Sequence, residues 1–128
     1  MQVLCDAMLE GLRRIASDAQ LRRVMQIAIH RVEYVEELGA VQARHLQMHR
    51  QWLARNRSAL EHAFAQRPCP AAVSPDMAAL GLQVLIEGLL QSWLLDPQAY
   101  DLVQAARISV GTYLRGLGLE VWPSNNKV

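Results

Sequence analysis

The stretch from Ser74 to Leu95, SPDMAALGLQVLIEGLLQSWLL, is helical in pattern yet apolar over more than half of its circumference, and Asp96-Pro97 closes it. A helix of that kind has to bury more than one face. A chain of 128 residues holds a single modest core. One face of this helix can therefore be covered from within, and another calls for a second surface. Its uncharged apolar runs reach roughly eight residues, short of the ~20 that a bilayer span needs, so a soluble protein is expected.

Composition narrows the classes further. With 52% hydrophobic and 20% charged residues the chain is globular and not disordered. Thirteen Lys and Arg against twelve Asp and Glu leave a net charge of +1, which gives no electrostatic pull toward nucleic acid or an acidic membrane. Cys5 falls in a helical pattern and Cys69 in a Pro-rich loop, and no cationic segment followed by an apolar core opens the chain. Two free thiols in a reducing cytoplasm are the expectation.

Apolar residues recur at helical spacing almost throughout, and no segment alternates with period two for long, so the fold class is all-α, an antiparallel bundle of about five helices. The first is expected over Met1 to Ala16, with Leu4, Met8, Gly11, Leu12 and Ile15 on one face; its pattern is already running at Met1, without an N-cap. Ser17 is expected to cap the second, supported by Asp18, with Leu21, Val24, Met25, Ala28, Val32 and Val35 buried. A long third helix spans about Glu37 to Arg67 and ends at RPCPAAVSP. Ser74 and Pro75 open the fourth, and Asp96-Pro97 is expected to open the fifth, which runs to about Leu117 before Gly118. Residues 1–117 form the domain, and 118–128 a tail frayed from Val121 onward with Trp122 pinned.

On the third helix, counting 100° per residue from Leu38, an apolar stripe takes in Val41, Leu46, Trp52, Leu53, Leu60, Ala63 and Phe64. Its centre also holds Gln42, His45, His49 and Asn56. Buried polar groups cost free energy unless hydrogen-bonded, so these four either bond to neighbouring backbone, reach solvent, or line a mostly apolar small-molecule cavity. On the fourth helix Glu87 interrupts an apolar run; it must reach the surface, pair with a cation, or face a polar hole where it would meet a cationic ligand. His45 and His49 have the i, i+4 spacing of a helical metal pair, but only His62 or Cys69 is near enough in sequence to complete a set, so no metal is expected. No phosphate loop, nucleophile elbow or paired carboxylates on an apolar face are present, and His30 with Glu33 is an ordinary i, i+3 pair. Nothing points to an enzyme, and no cofactor is expected.

The fourth and fifth helices both carry surplus apolar surface, and Ala78, Ala79, Gly81, Gly88, Ala105, Ala106, Ser109 and Gly111 permit close helix approach. A twofold four-helix interface, two helices from each subunit, would absorb that surface; the alternative is that the two simply form the middle of a monomeric bundle. The residues expected there are Ala78, Gly81, Leu85, Trp93, Leu102, Ala106, Val110 and Tyr113.

Two segments also carry a family resemblance. IHRVEYVEEL, 29–38, and GLLQSWLLDPQAYDL, 88–102, resemble the C-terminal regulatory domain of TetR/AcrR-type transcriptional repressors that control multidrug efflux pumps. The matching positions are His30, Arg31, Glu33 and Tyr34, then Gly88, Leu89, Trp93, Leu94, Pro97, Tyr100, Asp101 and Leu102, and the likeness spans about Leu4 to Leu117. It implies a homodimer built on the last two helices and a small-molecule effector held among the earlier ones. The cavity positions it implies are Met8, Gly11, Leu12, Met25, Ile29, His49, Trp52, Asn56, Gln83, Ile86 and Glu87. It also implies that DNA is bound only through an N-terminal helix-turn-helix domain, which this sequence does not contain, so the chain alone is expected not to bind DNA. A protein-interaction module that heterodimerises with longer relatives is the alternative.

Overall fold

The computed structural model describes residues 1–30, 39–70 and 72–122, with the side chains of 26–30 and 39–42 left aside. Five helices follow one another among the described residues: α1 (Gln2–Ser17), α2 (Ala19–His30), α3 (Gly39–Gln66), α4 (Pro75–Leu95) and α5 (Leu102–Gly116). The expected all-α class and the number of helices agree with this. Val32, Val35, Leu38 and the first family segment from Arg31 onward lie outside the described residues.

The helix boundaries follow from caps. Ser74 accepts from the Met77 amide at 3.2 Å and Pro75 sits in the first turn of α4, as the sequence predicts. Two other starts differ from expectation. Ser17 is the last residue of α1, its hydroxyl donating back to the Arg13 carbonyl at 3.0 Å, and Asp18 caps α2 by accepting from the Gln20 and Leu21 amides at 3.0 and 3.1 Å. Asp96-Pro97 does not open α5. Asp101 does, accepting from the Gln104 amide at 2.8 Å. The reason is geometric: α5 doubles back along α4, with the Tyr113 hydroxyl donating to the Ala78 carbonyl (2.8 Å) and the Tyr100 hydroxyl to the Leu89 carbonyl (2.6 Å). An antiparallel reversal needs a few connecting residues, which 96–101 supply.

Helix α4 lies between α3 on one side and α5 on the other, and α1 packs on α5. One buried cluster joins Cys5, Met8, Leu60, Leu82, Val110 and Leu114; a second joins Leu9, Leu12, Leu90, Trp93, Leu102 and Ala106. Leu60, Leu82, Leu102 and Leu114 are fully buried, each contributing about 1.5–3 kcal/mol of apolar transfer. The body continues past Leu117: Gly118 takes φ +83, the Leu119 amide donates to the Leu114 carbonyl at 2.9 Å, and Leu119 and Val121 are buried. The Trp122 indole N–H donates to Asp6 at 3.0 Å, tying this end to α1.

The covering of α4 is incomplete. Met77, Leu80, Val84 and Leu95 are 60, 43, 57 and 75% exposed, and with Gly88 they fall within about 80° on the helical wheel. By length and composition α4 is also long and apolar enough to cross a membrane. Here its opposite face is buried against α3 and α5. On α3 the apolar stripe departs from expectation at Leu46, which lies at the stripe's edge and is 46% exposed.

Candidate functional site

Four polar side chains meet between α3 and α4. Asn56 Nδ2 donates to Gln83 Oε1 at 2.8 Å, Gln83 Nε2 donates to Glu87 Oε2 at 3.3 Å, and the same carboxylate oxygen meets His49 Nδ1. The spacing explains the match. His49 and Asn56 are two turns apart on α3, about 10 Å of rise, while Gln83 and Glu87 are one turn apart, about 6 Å. The helices run antiparallel, so the long Gln83 and Glu87 side chains bridge the difference. Asn56 and Gln83 are buried; His49 and Glu87 are about one-third exposed at the side chain, 31 and 39%.

The relay has a fixed direction. An ionised carboxylate only accepts, so Glu87 requires the amide N–H of Gln83, which then turns its oxygen to the Asn56 amide nitrogen. Asn56 Oδ1 is left buried with no partner among the described residues. An unmet buried acceptor costs about 1–3 kcal/mol, which a donor from outside the chain would recover.

Apolar walls adjoin this relay. Met8 belongs to the first buried cluster, against which Trp52 and Ile86 pack; Leu12 belongs to the second, against which Met25 and Ile86 pack. Ile86 therefore touches both. At Gly11, half-buried on α1, an added Cβ would meet nothing within 4 Å. Sequence reasoning missed Arg55, whose guanidinium lies 5.2 Å over the Trp52 ring; the three-residue offset on α3 carries that signal. The Ile29 and Gln42 side chains lie outside the described residues, and His45 is half-buried. Among the described residues no three His, Cys, Asp or Glu side chains cluster as a metal set.

The residues expected at a dyad divide into two groups. Ala78, Trp93, Leu102, Ala106 and Val110 are spent inside one chain, 0–5% exposed, whereas Gly81, Leu85 and Tyr113 are half-buried on α4 and α5. Burial pushes the Tyr113 phenol above its ordinary range. Trp93 and Leu102 instead line an open groove of about 620 Å³ that α1 shares with the α4–α5 turn, together with Arg13, Tyr100 and Arg107. Arg22 stacks 5.5 Å over the Trp93 ring. No sequence signal pointed to that groove.

Residues 1–119 match the model of the C-terminal region of MAATS-type transcriptional repressors. The chain belongs to that family, as a TetR-type C-terminal region. It is 28% identical over 114 residues to the HTH-type transcriptional regulator AcrR of Shigella flexneri, covering 89% of this chain and 53% of the relative. It also superposes with a TM-score of 0.73 and 26% identity on NalD, the secondary repressor of the MexAB-OprM multidrug efflux pump in Pseudomonas aeruginosa, covering 89% of this chain and 58% of NalD. The chain thus spans about half the length of the relative AcrR.

Proposed function

We propose that this chain is the effector-sensing and dimerisation domain of a TetR/AcrR-type repressor, that its cavity takes small lipophilic compounds, cations among them, and that it serves control of an efflux pump in the cytoplasm. The single observation that carries the reading is the polar relay from Asn56 to His49 set among apolar walls, since a few convergent polar groups in an apolar cavity are how a small-molecule site is built. The proposed lining is Met8, Gly11, Leu12, Met25, Ile29, His49, Trp52, Asn56, Gln83, Ile86 and Glu87. The likeness to the transcriptional regulator AcrR and to the repressor NalD supports the regulatory role.

The exposed stripe on α4, with Ile108 60% exposed on α5, supports a homodimer in which Gly81, Leu85 and Tyr113 flank the dyad. DNA would be engaged only by a separate N-terminal domain of the kind the resemblance implies. Light scattering with thermal melts tests both halves. A dimer that Val84→Glu splits, and a melting temperature raised by lipophilic compounds, are expected. A monomeric wild type would remove the dimer, and a melting temperature unmoved by any compound would remove the sensor.

A further inference from the structure

We propose that His49 is a built-in occupant of the Glu87 subsite, and that a cationic effector binds there by displacing the imidazole and releasing its proton. The inference rests on the proposed effector cavity and names the selection rule of that same site. The two side chains are in direct contact across α3 and α4, each about two-thirds buried, and Gln83 holds the same carboxylate oxygen from the other side. Glu87 Oε2 is thus already satisfied, by one neutral donor and one group whose charge depends on pH. With His49 protonated the pair is ionic, so a ligand cation that takes this oxygen does so by replacing another cation. The exchange balances: a monocation enters, the imidazolium loses Nδ1–H···Oε2 and gives its proton to solvent, and the net charge of the site is unchanged. A neutral or anionic ligand gains nothing from this exchange.

Among the described side chains, the charged groups on the packed elements have other partners or lie exposed. On α4 the only other carboxylate is Asp76, held by Arg57. On α1, Glu10 holds Arg13, Asp6 takes Trp122, and Arg14 is exposed. On α2, Arg22 stacks on Trp93 and Arg23 is exposed; on α5, Arg107 stacks on Trp122, Arg115 bonds to Thr112, and Asp101 caps its own helix. On α3, Arg44, Arg50 and Arg55 are exposed. His45, one turn before His49 and half-buried, is the other described histidine on α3 near the pair.

The test uses the 128-residue chain with (2-naphthylmethyl)trimethylammonium and its uncharged isostere 2-neopentylnaphthalene as probes. Equilibrium dialysis should show the cation binding more tightly as pH rises from about 5 to 8, by up to about tenfold per unit, and the isostere unchanged. Calorimetry in buffers of different protonation enthalpy should count up to one proton released per cation and none per isostere. His49→Gln, which keeps a donor but cannot titrate, should abolish both the slope and the proton, and His45→Gln should leave them. A flat pH profile in the wild type, or a slope surviving in His49→Gln, overturns the exchange. If that variant does not fold, the proton count on the wild type decides alone. Binding of the isostere without the cation would overturn the exchange and leave the sensor standing; binding of neither would remove both.

Discussion

Replacing Gly81 by alanine puts a methyl group where the Tyr113 phenol lies: the new Cβ would overlap the hydroxyl oxygen and stand 3.1 Å from Cζ. The ring cannot simply swing aside, because its hydroxyl donates to the Ala78 carbonyl at 2.8 Å and the phenol is half-buried between α4 and α5. Overpacking of this kind costs about 1–3 kcal/mol, and breaking the hydroxyl's bond adds about 0.5–1.5 kcal/mol. Alanine returns about 1 kcal/mol through its better helix propensity. The net is a loss of about 0.5–3.5 kcal/mol, read as a fall of about 2–14 °C in melting temperature. Tyr113→Phe alone should cost about 1 kcal/mol through the same bond. In the Gly81→Ala background it should cost less or become stabilising, because the overlapping atom is gone. Urea unfolding of the four proteins at one fixed concentration measures the cycle. Additive costs, or a Gly81→Ala chain as stable as the wild type, would refute the close approach of α5 to α4.

Three further outcomes follow from local structure. Asp101→Ala should destabilise by about 1 kcal/mol through loss of the α5 cap, and Asp96→Ala should cost less, a comparison that chemical denaturation makes directly. Burial pushes the Cys5 thiol up to about 11, so a thiol reagent at pH 8 should modify Cys69 in the native protein and Cys5 only after unfolding, as mass spectrometry of the two peptides would record. The Trp122 indole N–H, then Gln2, hold the Asp6 carboxyl below the ordinary carboxylate range. A depressed folded-state value gives stability that is present above the ordinary range and lost as pH falls through the lowered one; Trp122 emission should therefore change only in that acid window, and Asp6→Asn should remove the transition.

The sequence made the architecture legible because helical periodicity is local, and Ser74-Pro75 marks α4 without ambiguity. Asp96-Pro97 carries the same signal and misleads, since whether the chain must double back is decided by where Tyr100 and Tyr113 anchor on α4, eleven and thirty-five residues earlier. The site was legible as misplaced polarity: Asn56, His49 and Glu87 are conspicuous in apolar stripes. Their pairing was not, because Asn56 and Gln83 are 27 residues apart, and neither helix alone says which residue faces it. The proposed dimer surface poses the reverse problem. Leu102, Ala106 and Val110 form one of two apolar faces on α5, and periodicity cannot say which of the two α1 and α4 will cover. The exposed face of α4, from Met77 to Leu95, is what the burial of the other faces leaves over.

The measurement that bears most directly on the proposed effector cavity is the emission of Trp52 during titration with a lipophilic compound, paired with melts at saturation. A ligand at about a hundred times its Kd stabilises by about 2.7 kcal/mol, near 10 °C for a domain of this size. The expected result is a saturable change in emission, a melting temperature raised by that order, and loss of the emission change in Trp52→Phe while dialysis still detects binding. An emission change that persists unaltered in Trp52→Phe would place the ligand elsewhere and contradict the account.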